Sequence, residues 1–221
     1  MQAVILAAGR GTRMGDLTKD TPKPLLIDSK TGKTLLEERL EELPDQISEI
    51  IIVVGYKGEQ IKEKIGNEFN QKKITYVTQD DLNGTAGALY TAKDILHDDF
   101  LVIAGDDKYK KHDLEKLISS QHDTAILASK IDTNIPQKRY GILKVSGDTV
   151  IDVVENQKAE GVDLVNTGAY KLNDTYFGHD PVRAGNDSDE MGLPQTVIKM
   201  GDTGVVEAED WSKVDYPEDL Q

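Results

Sequence analysis

The sequence contains no cysteine and no long apolar run. The first absence excludes disulfide bonds, thiolate zinc sites and cysteine nucleophiles. The N-terminal apolar run from Ala3 to Ala8 is too short for a secretory signal, and no segment approaches the roughly 20 apolar residues that span a bilayer. We therefore expect a cytoplasmic protein with no membrane partner.

Basic residues are scarce relative to acidic ones. The chain has 26 Lys and Arg against 40 Asp and Glu, which gives a formal net charge of -14. General nucleic-acid binding and docking on anionic membranes both require broad basic surfaces, so neither is expected. The length of 221 residues suits one domain, and we expect a single domain over residues 1–221. A homo-oligomer remains an open alternative.

Short apolar strands alternate with amphipathic helices in the first part of the chain. Strands are predicted at 3–6, 50–54, 74–78, 100–104 and 125–129, and helices at 34–43, 59–65, 85–96 and 113–120. This alternation predicts an α/β protein, a Rossmann-like three-layer α/β/α arrangement with a mostly parallel sheet. Later, two strands at 142–145 and 150–154 flank a hairpin turn, and a strand at 165–172 and a helix at 194–200 follow. These elements predict a smaller antiparallel portion, which begins after residue 130.

A glycine-rich, cationic segment follows the first strand. Residues Leu6 to Met14 read LAAGRGTRM, and Thr21 to Leu25 read TPKPL. Glycines directly after a strand let backbone N–H groups approach phosphate oxygens, and the prolines fix the direction of Lys23. The stretch 10–23 carries four cations and two acids in a strongly acidic chain. It therefore predicts a polyphosphate site; the alternative is an ordinary tight turn.

Two better-known phosphate motifs do not fit this sequence. In the G-x-G-x-x-G register the third position is Met14, and the prolines prevent the helix that a dinucleotide site requires. The triplet at 32–34, Gly-Lys-Thr, imitates the end of a Walker A loop, but the first glycine position is Ile27. We interpret the triplet as a turn and a helix cap, because Thr34 and Glu37 have capping-box spacing.

The glycine segment resembles the signature of sugar-1-phosphate nucleotidyltransferases, and the resemblance continues through most of the chain to Val214–Leu220. It implies that Arg13 grips a nucleoside triphosphate and that Lys23 contacts the reacting phosphates, so both are candidate catalytic residues. Gln79 and the Gly84-Thr85 turn resemble the base-recognition segment. The candidate nucleotide-binding residues are Leu6, Ala8, Gly9, Gly11, Thr12, Arg13, Gln79, Gly84 and Thr85. Residues 1–130 would then be the nucleotide-binding half, and 131–221 the sugar-binding half.

Asp106 ends a buried strand, where an acidic residue is well placed to hold Mg²⁺. The resemblance implies Asp215 as the second ligand and Mg²⁺ as the cofactor, with Asp107 as an alternative. Sugar binding is expected from Asp106, Tyr140, Gly141, Glu155, Lys158 and Asn166. In many relatives a lysine lies one or two residues after the glutamate, whereas here Lys158 lies three residues after Glu155. The identity of the sugar therefore stays open.

The expected reaction joins a nucleoside monophosphate to a sugar 1-phosphate and releases pyrophosphate. A rival enzyme activity is cytidylyl transfer to a phospho-alcohol such as phosphocholine. A rival of another class is a regulatory subunit that binds nucleotide sugars without catalysis. The expected partners are therefore a nucleoside triphosphate and a sugar 1-phosphate. Because Gln221 follows the Val214–Leu220 segment directly, we also expect no appended β-helix or acyltransferase domain.

Overall fold

A computed structural model describes residues 1–131, 138–159, 163–185 and 188–221. The strands are β1 (Gln2–Ala7), β2 (Glu49–Val54), β3 (Glu68–Phe69), β4 (Lys72–Thr78), β5 (Asp99–Ala104), β6 (Ala125–Lys130), β7 (Tyr140–Ser146), β8 (Thr149–Gln157), β9 (Leu164–Asn173), β10 (Val182–Arg183), β11 (Met191–Gly192) and β12 (Gly204–Glu207). The α-helices are α1 (Leu35–Glu41), α2 (Gly58–Ile65), α3 (Thr85–Tyr90), α4 (Lys111–Ile118) and α5 (Leu193–Ile198). Short 3-10 helices cover Thr12–Thr18, Lys23–Leu25, Lys93–Ile95, Asp174–Gly178 and Pro217–Leu220.

The main sheet is mixed, in the order β3-β4-β2-β1-β5-β9-β6-β12-β8-β7. Strands β4, β2, β1 and β5 run parallel, whereas β9 is antiparallel to β5, β6 and β7. Strand β8 is antiparallel to β7, as the hairpin pattern predicted, and β12 runs parallel to β6. The α/β class and the antiparallel portion are therefore confirmed, and the parallel order holds in the first half of the sheet.

Helices cover both faces of the central strands. Ile5 points into a core with Leu36 of α1 and Leu114 of α4, while Val4 points into a second core with Leu89 of α3. A strand that is covered on both faces reads as a continuous apolar run, because each face is buried in turn. Burial on both faces explains the apolar run at 3–6, and the helices on the two faces of the sheet confirm the α/β/α arrangement.

Helix α1 begins where the sequence predicted. The Glu37 N–H donates to the Thr34 hydroxyl, and the Glu37 carboxylate accepts from the Thr34 N–H, which completes a capping box. Gly32 precedes the cap with φ of +71°, so the triplet at 32–34 is a turn and a cap.

The predicted helix over 85–96 is too long. Helix α3 ends at Tyr90, and only a 3-10 turn follows. The Gln2 side-chain amide donates to the Ile95 carbonyl at 3.0 Å and accepts from the His97 N–H at 3.1 Å. These bonds hold the backbone in a non-helical path as it enters β5. This contact with β1 fixes the backbone after α3, in a stretch whose composition favours a helix.

Four short strands, β3, β10, β11 and β12, were missed in the sequence pattern. Strands β10 and β11 pair with each other between the predicted strand at 165–172 and the predicted helix at 194–200, where no element was predicted. None of the helices in the described ranges is long and apolar enough to span a membrane.

Candidate active site

The predicted site residues come together at one edge of the sheet. The parallel strands β1, β2, β4 and β5 all end there, so the segments that follow them are neighbours. Strand β9 runs the opposite way, with Ala169 opposite Ile103, which brings the start of β9 to the same edge. Tyr140, at the start of β7, pairs with Gln157 at the end of β8. This register places the nucleotide and sugar candidates on one side of the molecule.

Gly11 forms the bend of the cationic loop. It has a left-handed backbone with φ of +63°, and a Cβ added to it would lie 2.7 Å from the Cβ of Lys23. Its carbonyl accepts from the Met14 N–H and the Thr18 hydroxyl, both at 3.0 Å. Glycine is therefore needed here for the backbone conformation and for the close approach of Lys23.

The outer part of this loop is open to solvent. Gly9, Thr12 and Arg13 are exposed, and within the described ranges no group accepts a hydrogen bond from the N–H groups of Gly9 and Arg10. Leu6 and Ala8 lie deeper, and their carbonyls accept from the N–H groups of residues 105 and 56, each at 3.0 Å. The carbonyls of Leu6 and Ala8 fix the loop through these bonds, while the N–H groups of Gly9 and Arg10 are available to an anion.

Tyr56 is a residue of this region that the sequence reasoning missed. Its hydroxyl lies 3.0 Å from the carbonyl oxygens of both Thr18 and Lys19. The Arg10 guanidinium lies 5.4 Å from the centre of its ring. Tyr56 therefore ties the cationic loop to the turn after β2. Its only sequence signal is an aromatic residue with a polar tip directly after a strand and a glycine.

Lys23 is a buried cation among carboxylates. Its Nζ donates to Asp106 Oδ2 at 2.7 Å and to the Val214 carbonyl, and the residue is only 7% exposed. Burial alone would lower the pKa of Lys23, but Asp106, Asp107 and then Asp215 raise it above its ordinary value. The ammonium is therefore charged at neutral pH. Prolines on both sides of Lys23 fix its backbone direction.

Asp106 and Asp107 follow β5 but have different environments. The Asp106 side chain is 35% exposed, whereas Asp107 is buried and accepts from the Val214 N–H at 3.1 Å. Burial, with the Asp106 charge as a second cause, raises the pKa of Asp107 to about 7. Asp107 thus holds the C-terminal segment in place, and Asp106 is the carboxylate that faces the site.

Asp215 returns to the site from the far end of the chain. Its carboxylate pairs with Arg13 and, at 3.0 Å, with Lys213 Nζ. The Asp219 carboxylate accepts from the N–H groups of Asp215 and Tyr216 at 2.8 and 2.9 Å and so fixes this turn. Lys23 joins this segment to Asp106, because its Nζ donates both to Asp106 Oδ2 and to the carbonyl of Val214, the residue before Asp215.

The donor set fits Mg²⁺. Magnesium takes one or two protein carboxylates and completes its shell with water and phosphate oxygens. Asp106 and Asp215 supply two carboxylates next to a loop that offers N–H groups to phosphates. The described part of the chain holds no group of three or more acidic or histidine side chains arranged to bind a metal.

The Gln79 and Gly84 turn is tied to the second half of the chain. Gln79 Nε2 donates to Asn83 Oδ1 and to the Gly84 carbonyl, both at 3.1 Å. A Cβ on Gly84, whose φ is +104°, would lie 2.4 Å from the Met191 carbonyl. Thr85 Oγ1 accepts from the Leu193 N–H at 3.0 Å. Both amide hydrogens of Gln79 thus form bonds within the loop. The side-chain carbonyl of Gln79 is the group left to bond a base, and it accepts rather than donates.

Glu155 of β8 lies next to Gly141 of β7, two residues predicted to bind the sugar. A Cβ on Gly141 would lie 3.0 Å from Glu155 Oε2, and Gln195 Nε2 donates to Glu155 Oε1 at 3.2 Å. Burial raises the pKa of Glu155, while the Gln195 bond and then the Lys213 charge act against this shift. Tyr140 is buried and packs edge-on against Trp211, with ring centres 6.4 Å apart. The β7–β8 hairpin therefore brings these groups together.

Asn166 and Lys158 have contrasting environments. Asn166 Nδ2 donates to the Tyr170 hydroxyl at 2.7 Å, and its Oδ1 accepts from the Gly168 N–H at 3.0 Å. Lys158 is exposed beyond the end of β8, and within the described ranges it forms no ion pair. The role predicted for each of them in sugar binding stays a prediction.

The sequence profile of the nucleotidyl transferase family matches residues 2–212, and the chain belongs to this family. The chain is 31% identical over 228 residues to the bifunctional protein GlmU of Methanococcus maripaludis strain C5, a match that covers 100% of this chain and 53% of that protein. It is 32% identical over 232 residues to the UTP–glucose-1-phosphate uridylyltransferase AglF of Haloferax volcanii, covering 99% of this chain and 93% of that protein.

The fold matches the crystal structure of a protein assigned as a glucose-1-phosphate thymidylyltransferase from Bacillus anthracis, in complex with sucrose. The TM-score is 0.80 at 23% identity, and the match covers 100% of this chain and 92% of that chain. This likeness shows the fold. The chain spans about half the length of GlmU, whereas it spans nearly all of AglF.

Proposed function

We propose that the chain transfers a nucleoside monophosphate from a nucleoside triphosphate to a sugar 1-phosphate, with pyrophosphate as the leaving group. The observation that carries this proposal is the buried Lys23 ammonium, held between Asp106 and the Val214 carbonyl beneath a glycine loop with open N–H groups. The AglF relative, which this chain matches over nearly its full length, bears the name of such an enzyme. Family membership supports the same class of reaction.

The chemistry needs charge compensation more than it needs a base. A sugar phosphate is already ionised near neutral pH, because its second pKa is about 6. One of its oxygens attacks the α-phosphorus, and the bond from that phosphorus to the pyrophosphate oxygen breaks. Two anions must therefore be aligned and neutralised. Lys23 and Arg13 supply fixed positive charge on the nucleotide side.

We assign residues 1–130 to the nucleotide and residues 131–221 to the sugar. In this assignment, the loop from Gly9 to Arg13 orients the triphosphate, and the turn at Gln79 and Gly84 contacts the base. Glu155 and Asn166 face the sugar hydroxyls, since carboxylate and amide groups each accept two hydrogen bonds. We also assign a cytoplasmic location.

Asp106 and Asp215 would hold Mg²⁺. The bound ion would neutralise charge on the phosphates during transfer. In the structure Lys23 pairs with Asp106, and Arg13 pairs with Asp215. These pairings neutralise the same two carboxylates by means of the chain's own cations.

The test is pyrophosphate release with Mg²⁺ across a grid of nucleoside triphosphates and acceptors. The acceptors are glucose, mannose and N-acetylglucosamine 1-phosphates, with phosphocholine as the comparison. We expect release with a sugar 1-phosphate and none when Mg²⁺ is removed by a chelator. Release with phosphocholine alone would assign the chain to phospho-alcohol transfer. No release, with a nucleotide sugar still bound, would favour the regulatory alternative.

A further inference from the structure

The sugar side of the site has a charge problem that the predicted residues do not solve. The acceptor is a dianion, and the charges of Lys23 and Arg13 are already balanced by Asp106 and Asp215. The proposed function also assigns Lys23 and Arg13 to the triphosphate. An anion that enters beside these acids needs a cation of its own.

Lys158 is poorly placed to provide that cation. It is exposed, lies beyond the last residue of β8, and has no charged partner in the described ranges. A lysine in water keeps its full solvation and its side-chain freedom, so it binds a phosphate weakly.

Lys213 lies instead between the two sides of the site. Its Nζ is 3.0 Å from Asp215 Oδ2 and 5.1 Å from the centre of the Tyr140 ring, and its side chain is only 19% exposed. Its charge also reaches Glu155, where it acts to lower the pKa of that carboxyl. It therefore contacts a proposed metal ligand and a proposed sugar-side residue at once.

The ammonium group is also held in a fixed position with one donor to spare. A lysine has three N–H donors. One is directed to Asp215, and another donates to the Arg139 carbonyl at 2.6 Å. The Lys213 carbonyl itself accepts from Lys138 Nζ at 2.7 Å, so both the backbone and the side chain are anchored. The remaining N–H is available to a ligand.

We propose that Lys213 binds the phosphate of the sugar 1-phosphate. This assignment rests on the proposed function. Lys213 would neutralise the acceptor phosphate beside Asp215 while the sugar extends toward Tyr140 and Glu155. The cation that binds the acceptor phosphate thus comes from the C-terminal segment of the chain.

The test replaces Lys213 with Met, which keeps most of the length and removes the charge. Lys158→Met is the matched control. Pyrophosphate release is measured with UTP, Mg²⁺ and the sugar 1-phosphate that the wild type uses best among those of glucose, mannose and N-acetylglucosamine. We expect Lys213→Met to raise KM for the sugar 1-phosphate by about tenfold or more and to leave KM for UTP within about twofold. Lys158→Met should leave both values within about twofold.

Two further readouts separate phosphate binding from support of Asp215. If Lys213 acted only by positioning Asp215, Lys213→Met would change the Mg²⁺ concentration for half-maximal rate and KM for UTP, and the proposal would be wrong. Lys213→Arg, which keeps the charge, should recover part of the lost acceptor affinity. Lys213→Gln serves as the uncharged variant if the melting temperature shows that Lys213→Met is unfolded.

The remaining outcomes are also decisive. A normal KM for the sugar 1-phosphate in Lys213→Met, with the wild type active, would overturn this assignment and leave the proposed function intact. A rise in that KM in Lys158→Met alone would return the role to Lys158. If the wild type turned over none of the sugar 1-phosphates with any nucleoside triphosphate of the grid, the proposed function would fail and this assignment with it.

Discussion

The two sides of the site are built in different ways. In the part that we propose binds the nucleotide, one continuous stretch supplies the glycine loop, Arg13 and Lys23, and the bend at Gly11 brings the loop against Lys23. In the part that we propose binds the sugar phosphate, Tyr140, Glu155 and Asn166 come from three strands, and Lys213 comes from the C-terminal segment. A local motif can thus specify one half of a site, while the other half depends on strand register and chain return.

The two halves meet at Lys23, so its removal should have the largest effect. If Lys23 acts as proposed, Lys23→Ala should lower kcat by about 10²- to 10³-fold, because the buried positive charge proposed to stabilise the reacting phosphates is lost. The fold should persist, since Asp106 is 35% exposed and water can solvate it. Steady-state kinetics and circular dichroism check both points. Lys19→Ala, whose side chain is 72% exposed, is the control. Near-normal turnover in a folded Lys23→Ala would refute the role.

The nucleotide side can be broken separately through Gly11. Gly11→Ala forces a left-handed alanine and places its Cβ 2.7 Å from the Lys23 Cβ. Gly15 also has a positive φ, of +58°, but a Cβ there meets nothing within 4 Å. Gly11→Ala should cost about 1–2 kcal/mol for its left-handed backbone and should lower turnover by about tenfold. Gly15 has φ of +58° and ψ of -125°, so Gly15→Ala should also destabilise the fold but should leave turnover unchanged. Urea unfolding and kinetics measure these effects; equal turnover in the two variants would contradict the contact with Lys23.

A change in the C-terminal turn should have the smallest effect of the three. This effect should be on stability. Burial alone would raise the pKa of Asp219, but Lys138 and the N–H groups of Tyr216 and Asp215 lower it. Its carboxylate therefore stabilises the fold above the ordinary aspartate pKa of about 3.9, and this contribution is lost as the pH falls through the lowered folded value. Asp219→Asn should reduce the melting temperature by a few degrees at pH 7 and by less in acid.

Differential scanning fluorimetry at pH 7 and in acid measures this difference. Asp210→Asn is the control, because Asp210 is exposed. The same loss of melting temperature at both pH values in Asp219→Asn would show that its charge does not matter to the turn.

Much of the fold could be predicted from the sequence because buried central strands have an unmistakable pattern. The runs around Val4 and Val102 are apolar on both faces, and Thr34 with Glu37 marks a helix start. The predicted end of α3 was wrong: the helix ends at Tyr90, and the Ile95 carbonyl accepts instead from the Gln2 side chain, 93 residues away. The two-residue strands were missed because they are too short to show a period.

The sequence by itself determined the class of the protein and the cationic glycine loop, because glycines, prolines and cations act within one stretch of chain. Only the tertiary structure decided which of the two carboxylates after β5 is partly exposed, that Asp107 is buried, and that Lys213 lies against the ring of Tyr140. The physical reason is that burial and ion pairing depend on which segments meet. Here the C-terminal turn meets the end of β5 through bonds such as the one from Val214 to Asp107, which spans 107 residues.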